Sequence, residues 1–162
     1  MAVQLEALLE GPLTKAGLLP WVYALAAWNV DWLRRNPRTP KLYASGVRYA
    51  PDPLGSAEDF RTIPRVLAAR SGDCDDLAAW RVAELRLQGV RAHPAVLKMQ
   101  EGLWHVFVRL PGGGAEDPSA HLGMQVPQRF IDAGRRLQQS NPHRGSARAP
   151  LPTVAAAWPF WR

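Results

Sequence analysis

The stretch Asp73–Gly89 constrains the fold more than any other part of the chain. Asp73 is a good N-cap, Asp75 and Asp76 fall in the first turn, and Gly89 stands just past the expected end. Ala78, Val82 and Leu85 form one apolar line, with Leu77 and Leu87 beside it. This pattern predicts a helix over 73–88. Val90 to Met99 is apolar and branched enough for a strand, and Pro94 limits it to a sheet edge or a bulge. Gln100-Glu101-Gly102 turns the chain. Leu103 to Leu110 then alternates, with Trp104, Val106, Val108 and Leu110 on one face and Leu103, His105, Phe107 and Arg109 on the other. Pro111-Gly112-Gly113-Gly114 is a turn, and Ala115 to Asp117 should open a third antiparallel strand. A helix followed by an antiparallel meander predicts an α+β fold.

Upstream, Val3 to Leu9 is a short amphipathic stretch ended by Gly11-Pro12. Residues 20–36 read as a helix, with Pro20 in its first turn and Asn36-Pro37 as its stop. Trp21, Trp28 and Trp32 are expected to pack on the core. Residues 37–63 are loop-rich, with a short extended piece within Leu42–Tyr49. Glu58 to Leu67 reads as a helical approach interrupted at Pro64, because the residue before a proline avoids the helical region. Downstream, Val126 to Gln139 reads as a further helix opened by Pro127.

Residues 1–139 are expected to form a single domain whose N-terminal part, 1–40, is helical. Residues 140–162 read as a flexible Arg- and Pro-rich tail. It ends in an aromatic anchor, Trp158, Phe160 and Trp161, which docks either on its own core or on a partner.

The 162 residues suffice for one real core. One cysteine excludes an internal disulfide and gives no sign of an oxidising compartment. Glu6, Glu10 and Gly11-Pro12 do not read as a signal peptide, and Leu18 to Trp28 is too short to span a membrane. A cytoplasmic protein without membrane association is the expectation. The net charge is +6. Much of it lies in the last third, at Arg129, Arg135, Arg136, Arg144, Arg148 and Arg162. No basic strand interleaved with aromatics and no recognition helix accompanies it, so nucleic acid is not an expected partner.

The chemistry lies in Cys74, His105 and Asp117. A thiol attacks as its thiolate, which the N–H groups of a helix N-terminus and a nearby imidazolium both stabilise. Cys74 falls in the first turn of the predicted helix. His105 on its strand would act as acid or base, and Asp117 would fix the imidazole's orientation. Asp73, Asp75 and Asp76 work against this, since negative charge raises a thiol's pKa, unless they turn to backbone N–H groups or to Arg61, Arg65 or Arg81. The same aspartates lack paired Cys or His spacing, so no metal and no cofactor is expected. His93 reads as structural, and His121 is the rival base.

Gly72-Asp73-Cys74-Asp75-Asp76-Leu77-Ala78, Gly89-Val90-Arg91-Ala92, Trp104-His105-Val106-Phe107-Val108 and Asp117-Pro118-Ser119 together resemble the transglutaminase-like superfamily of papain-like cysteine enzymes. The resemblance covers about residues 40–125. Tyr49-Ala50-Pro51-Asp52-Pro53 and Glu58-Asp59-Phe60-Arg61-Thr62-Ile63-Pro64 resemble the small single-domain members encoded by tailed bacteriophages. The resemblance implies a Cys-bearing helix packed on a small antiparallel sheet that carries His and Asp. It implies acyl transfer or hydrolysis on peptide-like amides in a bacterial host, with Tyr49 or Tyr43 assisting the oxyanion. The alternative expectation is a phage head or tail component that keeps the fold as a scaffold and binds virion proteins through residues 140–162.

Overall fold

The computed structural model describes residues 8–9, 15–52, 58–100 and 103–125. The chain divides into two units, Met1–Met124 and Gln125–Arg162. The predicted helix at Val126–Gln139, the tail and its anchor Trp158, Phe160 and Trp161 lie outside the described residues.

The elements, in chain order, are β1 (Leu8–Leu9), α1 (Lys15–Arg35), β2 (Arg48–Tyr49), β3 (Glu58–Asp59), α2 (Ile63–Ala69), β4 (Ser71–Gly72), α3 (Cys74–Leu87), β5 (His93–Gln100), β6 (Leu103–Arg109), β7 (Ala115–Glu116) and α4 (Pro118–His121). The mixture of helices with small sheets is α+β. Strands β5, β6 and β7 form an antiparallel sheet in that order, with β5 at an edge. Pro94 is accommodated there, opposite Val108, and the register slips at Lys98/Gln100. β1 pairs with β3 antiparallel, and β2 pairs with β4 in parallel.

Helix α3 is the central element. Asp73 and Asp76 close a reciprocal capping box at its start. Gly89 follows its end with φ +81°, a left-handed conformation that a side chain would strain. On one side, Ala78, Ala79, Val82 and Leu85 pack with Val22 and Leu25 of α1 and with Val106 and Val108 of β6. On the other side, Leu77, Trp80 and Ala83 pack with Leu42, Val47, Ile63 and Val66. Each fully buried Leu, Ile or Val contributes about 1.5–3 kcal/mol through burial. The single apolar line expected of this helix is therefore too narrow, because two core clusters flank it.

Arg81 and Glu84 on α3 are also buried, and they pair with one another and with partners far along the chain. Arg81 Nε donates to Glu116 Oε1 at 2.6 Å, and Arg81 Nη1 donates to Glu84 Oε2 at 3.0 Å. Glu84 Oε1 accepts the Leu42 backbone N–H at 2.7 Å. The Tyr43 hydroxyl donates to Glu116, and the Arg81 guanidinium stacks 5.2 Å above the Tyr43 ring.

Three local expectations change, and one holds. Helix α1 starts at Lys15, so Pro20 lies inside it. Leu18 is buried one turn before Val22, and this packing carries the helix upstream of the proline. Pro64 does not interrupt a helix. It stands in the first turn of α2, where the missing N–H has no intrahelical acceptor to lose. The short extended piece expected within Leu42–Tyr49 is β2, preceded by a 3-10 turn at Leu42–Ala44. Trp21 is an exposed ring stacked on Phe60, whereas Trp28 and Trp32 stack on one another at 5.6 Å, both partly buried.

Replacing Arg81 by Ala leaves Glu84 and Glu116 buried without their cation. The expected cost is about 3–5 kcal/mol, read as a lower urea midpoint. Arg35→Ala, which removes only the exposed pair with Asp31, should cost under about 1 kcal/mol.

Candidate active site

The chain reaches the site through β4. A Cβ at Gly72 would lie 3.2 Å from the Asp76 Cβ and 3.2 Å from Leu77 Cδ2, so the backbone passes the helix start at a separation that favours glycine. Asp73 then caps α3, and Cys74 takes its first helical position. The free N–H of that position has no intrahelical acceptor.

Strand β7 pairs with β6 only through Val108↔Glu116 and Arg109↔Ala115. Beyond that pairing, the Val106 backbone lies close enough to the Cys74 sulfur for its N–H to favour the thiolate. The thiol therefore lies against the peptide that immediately follows His105. His105 is buried, and its Nε2 lies 2.8 Å from Asp117 Oδ2. A carboxylate oxygen accepts, so Nε2–H is the donor of this contact. Asp117 also caps α4, since its Oδ1 accepts the Ala120 N–H at 3.1 Å. One carboxylate thus fixes both the imidazole and the turn that follows.

Of the two tyrosines, Tyr49 belongs to the site. Burial, followed by the charges of Cys74, Asp73 and Asp117, pushes its phenol up to about 12, so it remains a hydrogen-bond donor. Tyr43 does not fill this role. Its hydroxyl is committed to Glu116, and burial with the Glu116 charge pushes it well up. His121, the rival base, packs tilted against the Tyr43 ring with centroids 4.1 Å apart, while the Asp117 contact goes to His105. His93 meets the Tyr23 ring at the other end of the sheet.

The electrostatics differ from the expected thiolate. Burial pushes the Cys74 thiol well up, and Asp73, Glu58 and Asp117 add to it against the Val106 hydrogen bond. The resting sulfur is a neutral thiol. Glu58 is itself pushed up to about 7 by burial and then by Asp73 and Asp52. The flanking aspartates divide their roles. Asp76 accepts the Arg61 backbone N–H at 2.6 Å and Arg61 Nε at 2.8 Å, and Arg61 Nη2 reaches Asp52 Oδ1 at 3.1 Å. Asp75 is fully buried, neither of its oxygens has a hydrogen-bond partner among the described residues, and burial with the Asp73 charge pushes its carboxyl up. Arg65 pairs instead with Asp59.

Two carboxylate sets, Asp52 with Glu58 and Asp73, and Asp73 with Asp75 and Asp76, bring oxygens within 4.8 Å of one another. A cation could be accepted at that spacing, and Arg61 already supplies positive charge to part of it. Asp52, Glu58 and the Arg81–Glu116 pair carry no mark in the sequence, since nothing local links residues so far apart in the chain.

Asp73→Asn keeps the capping oxygen and removes the charge nearest the thiol. Alkylation of Cys74 by iodoacetamide at pH 7 should then quicken by about threefold for each unit that the thiol pKa falls, because the tenfold gain in thiolate is partly offset by lower nucleophilicity. Liquid chromatography with mass detection measures the rate. Among the described residues no helix is long and apolar enough to cross a membrane. No protein-family model, no curated protein and no solved structure matches this chain, so the reading of the site rests on its own residues.

Proposed function

We propose that the chain is a cysteine hydrolase or acyltransferase of the transglutaminase-like, papain-like kind, acting on peptide-like amides through Cys74, His105 and Asp117. The observation that carries this reading is the 2.8 Å contact of His105 Nε2 with Asp117, made on the strand whose next N–H meets the Cys74 sulfur. A lone cysteine or a lone histidine would need no such arrangement.

The chemistry follows from the protonation states. As Cys74 Sγ attacks the amide carbon, its proton passes to His105 Nδ1 and the carbonyl electrons move to oxygen. The Cys74 N–H and the Tyr49 hydroxyl are the donors for that oxyanion. Collapse of the tetrahedral species breaks the C–N bond, and His105 returns the proton to the departing amine. A thioester remains on Cys74. Water, or an amine, attacks it with His105 again as base, releasing the acid or a new amide and restoring the thiol. Asp117 holds the imidazolium that forms at each step.

The neutral thiol suits this order of events, because the base is used during attack and no ion pair precedes it. Burial among Asp73, Glu58 and Asp117 is equally what a disused thiol would show, and it gives the second reading its support. In that reading the chain is a structural or assembly component of a phage particle, anchored by residues 140–162. A bacterial cytoplasm or a virion is the setting that goes with either proposal.

p-Nitrophenyl acetate separates the two, since it needs no substrate recognition. The enzyme reading predicts a burst of about one nitrophenolate per chain, absent from Cys74→Ala and slowed about tenfold or more in His105→Ala. A wild-type protein without a burst, or a burst that survives Cys74→Ala, would sink it.

A further inference from the structure

The face of β6 that carries His105 continues through Phe107 to Arg109, because alternate residues of a strand share a face. The sheet register sets Ala95 beside Phe107 and His93 beside Arg109. An open cavity of about 740 Å³ lies at this end of the sheet, lined by Tyr23, His93, Ala95, Phe107, Arg109 and Leu110 among others. Its walls are mostly apolar and carry two basic side chains, and no acidic residue is among the described residues that line it. Arg109 is exposed and has no carboxylate partner among the described residues. An unpaired guanidinium over an apolar floor is matched by a carboxylate whose neighbours are apolar or extended.

Spacing connects the groove to the chemistry. Four residues of strand separate Arg109 from His105, about 13 Å at the rise of an antiparallel strand. An extended peptide covers that length in about four residues. β5 is an edge strand of the sheet among the described residues and borders the cavity, so it can also pair with an extended backbone.

We propose that this groove is a substrate-recognition subsite that takes an acidic side chain of an extended peptide, with Arg109 as its ion-pair partner and His93 beside it. The carboxylate would lie about four residues from the bond that Cys74 attacks. The distance to the scissile bond rests on the thiol-acyl reading of the site, whereas the binding of an acidic peptide does not.

The test uses the full chain with Cys74→Ala, so that nothing is turned over, and fluorescence anisotropy at low salt. The probes are fluorescein-labelled octapeptides of glutamate and of glutamine with amidated C-termini, and the glutamine octapeptide with a free carboxylate. The glutamate peptide should bind at least tenfold more tightly than either glutamine peptide. Arg109→Glu should erase that difference, whereas Arg38→Glu, an equal change of charge at an exposed position outside the groove, should leave it within about twofold. Arg109 is exposed, so the variant should keep the wild-type circular dichroism spectrum. Equal binding of glutamate and glutamine peptides, equal loss in both arginine variants, or tight binding of the free-carboxylate glutamine peptide overturns the proposal. A chain that binds the glutamate peptide through Arg109 but gives no nitrophenolate burst keeps the groove and loses the thiol chemistry. The reverse result keeps the chemistry and loses the groove.

Discussion

The buried contact of Arg81 with Glu116 is the constraint on which the site depends. Arg81 lies on the helix that begins with Cys74, and Glu116 is the residue before Asp117. One 2.6 Å ion pair therefore ties the thiol's helix to the strand that delivers the carboxylate. Tyr43 and Glu84 close the pair on two further sides, and Glu84 in turn holds the backbone at Leu42. Burying these charges costs desolvation energy, which the bonds of Arg81 to both carboxylates offset, although Glu116 Oε2 is left without a hydrogen-bond partner among the described residues. What the molecule gains is position. The end of β7 is held against α3 through Arg81, and Asp117, the next residue, in turn holds His105.

The second constraint is the negative charge around Cys74. Asp73 caps the helix, Asp76 completes the capping box and receives Arg61, and Asp75 is buried without a hydrogen-bond donor among the described residues. The helix N-terminus and the Val106 N–H favour a thiolate, but burial and the charges of Asp73, Glu58 and Asp117 outweigh them. A base that acts during attack solves this problem, because proton transfer and bond formation then occur together. Glu58, pushed up to about 7, titrates across the neutral range and changes the charge that the thiol feels.

Much of this is legible in the sequence where a short-range rule applies. Asp73 and Gly89 mark both ends of α3 because caps are local, and the alternation from Leu103 marks β6 because pleating is local. His105 and Asp117 fall on or beside the expected strands, and the sheet order follows from two short turns. The failures are non-local. Pro20 reads as a helix start, since the packing of Leu18 is invisible along the chain. The single apolar line of α3 misses the second core cluster, which residues 42–66 build from a distant segment. Tyr43 and Tyr49 are indistinguishable by type. Only the pairing of Tyr43 with Glu116 assigns the first to the framework and leaves the second to the thiol. Helix α4 is hidden because four residues opened by Asp117-Pro118 read as the start of a loop.

The central claim is that His105 serves Cys74 as its base. The pH dependence of iodoacetamide alkylation tests it most directly, compared between the wild type and His105→Ala from pH 6 to pH 10. The account predicts that the wild type reacts about tenfold or more faster near neutral pH, and that the gap narrows as rising pH forms more thiolate without a base. Superimposable curves across the whole range would contradict it.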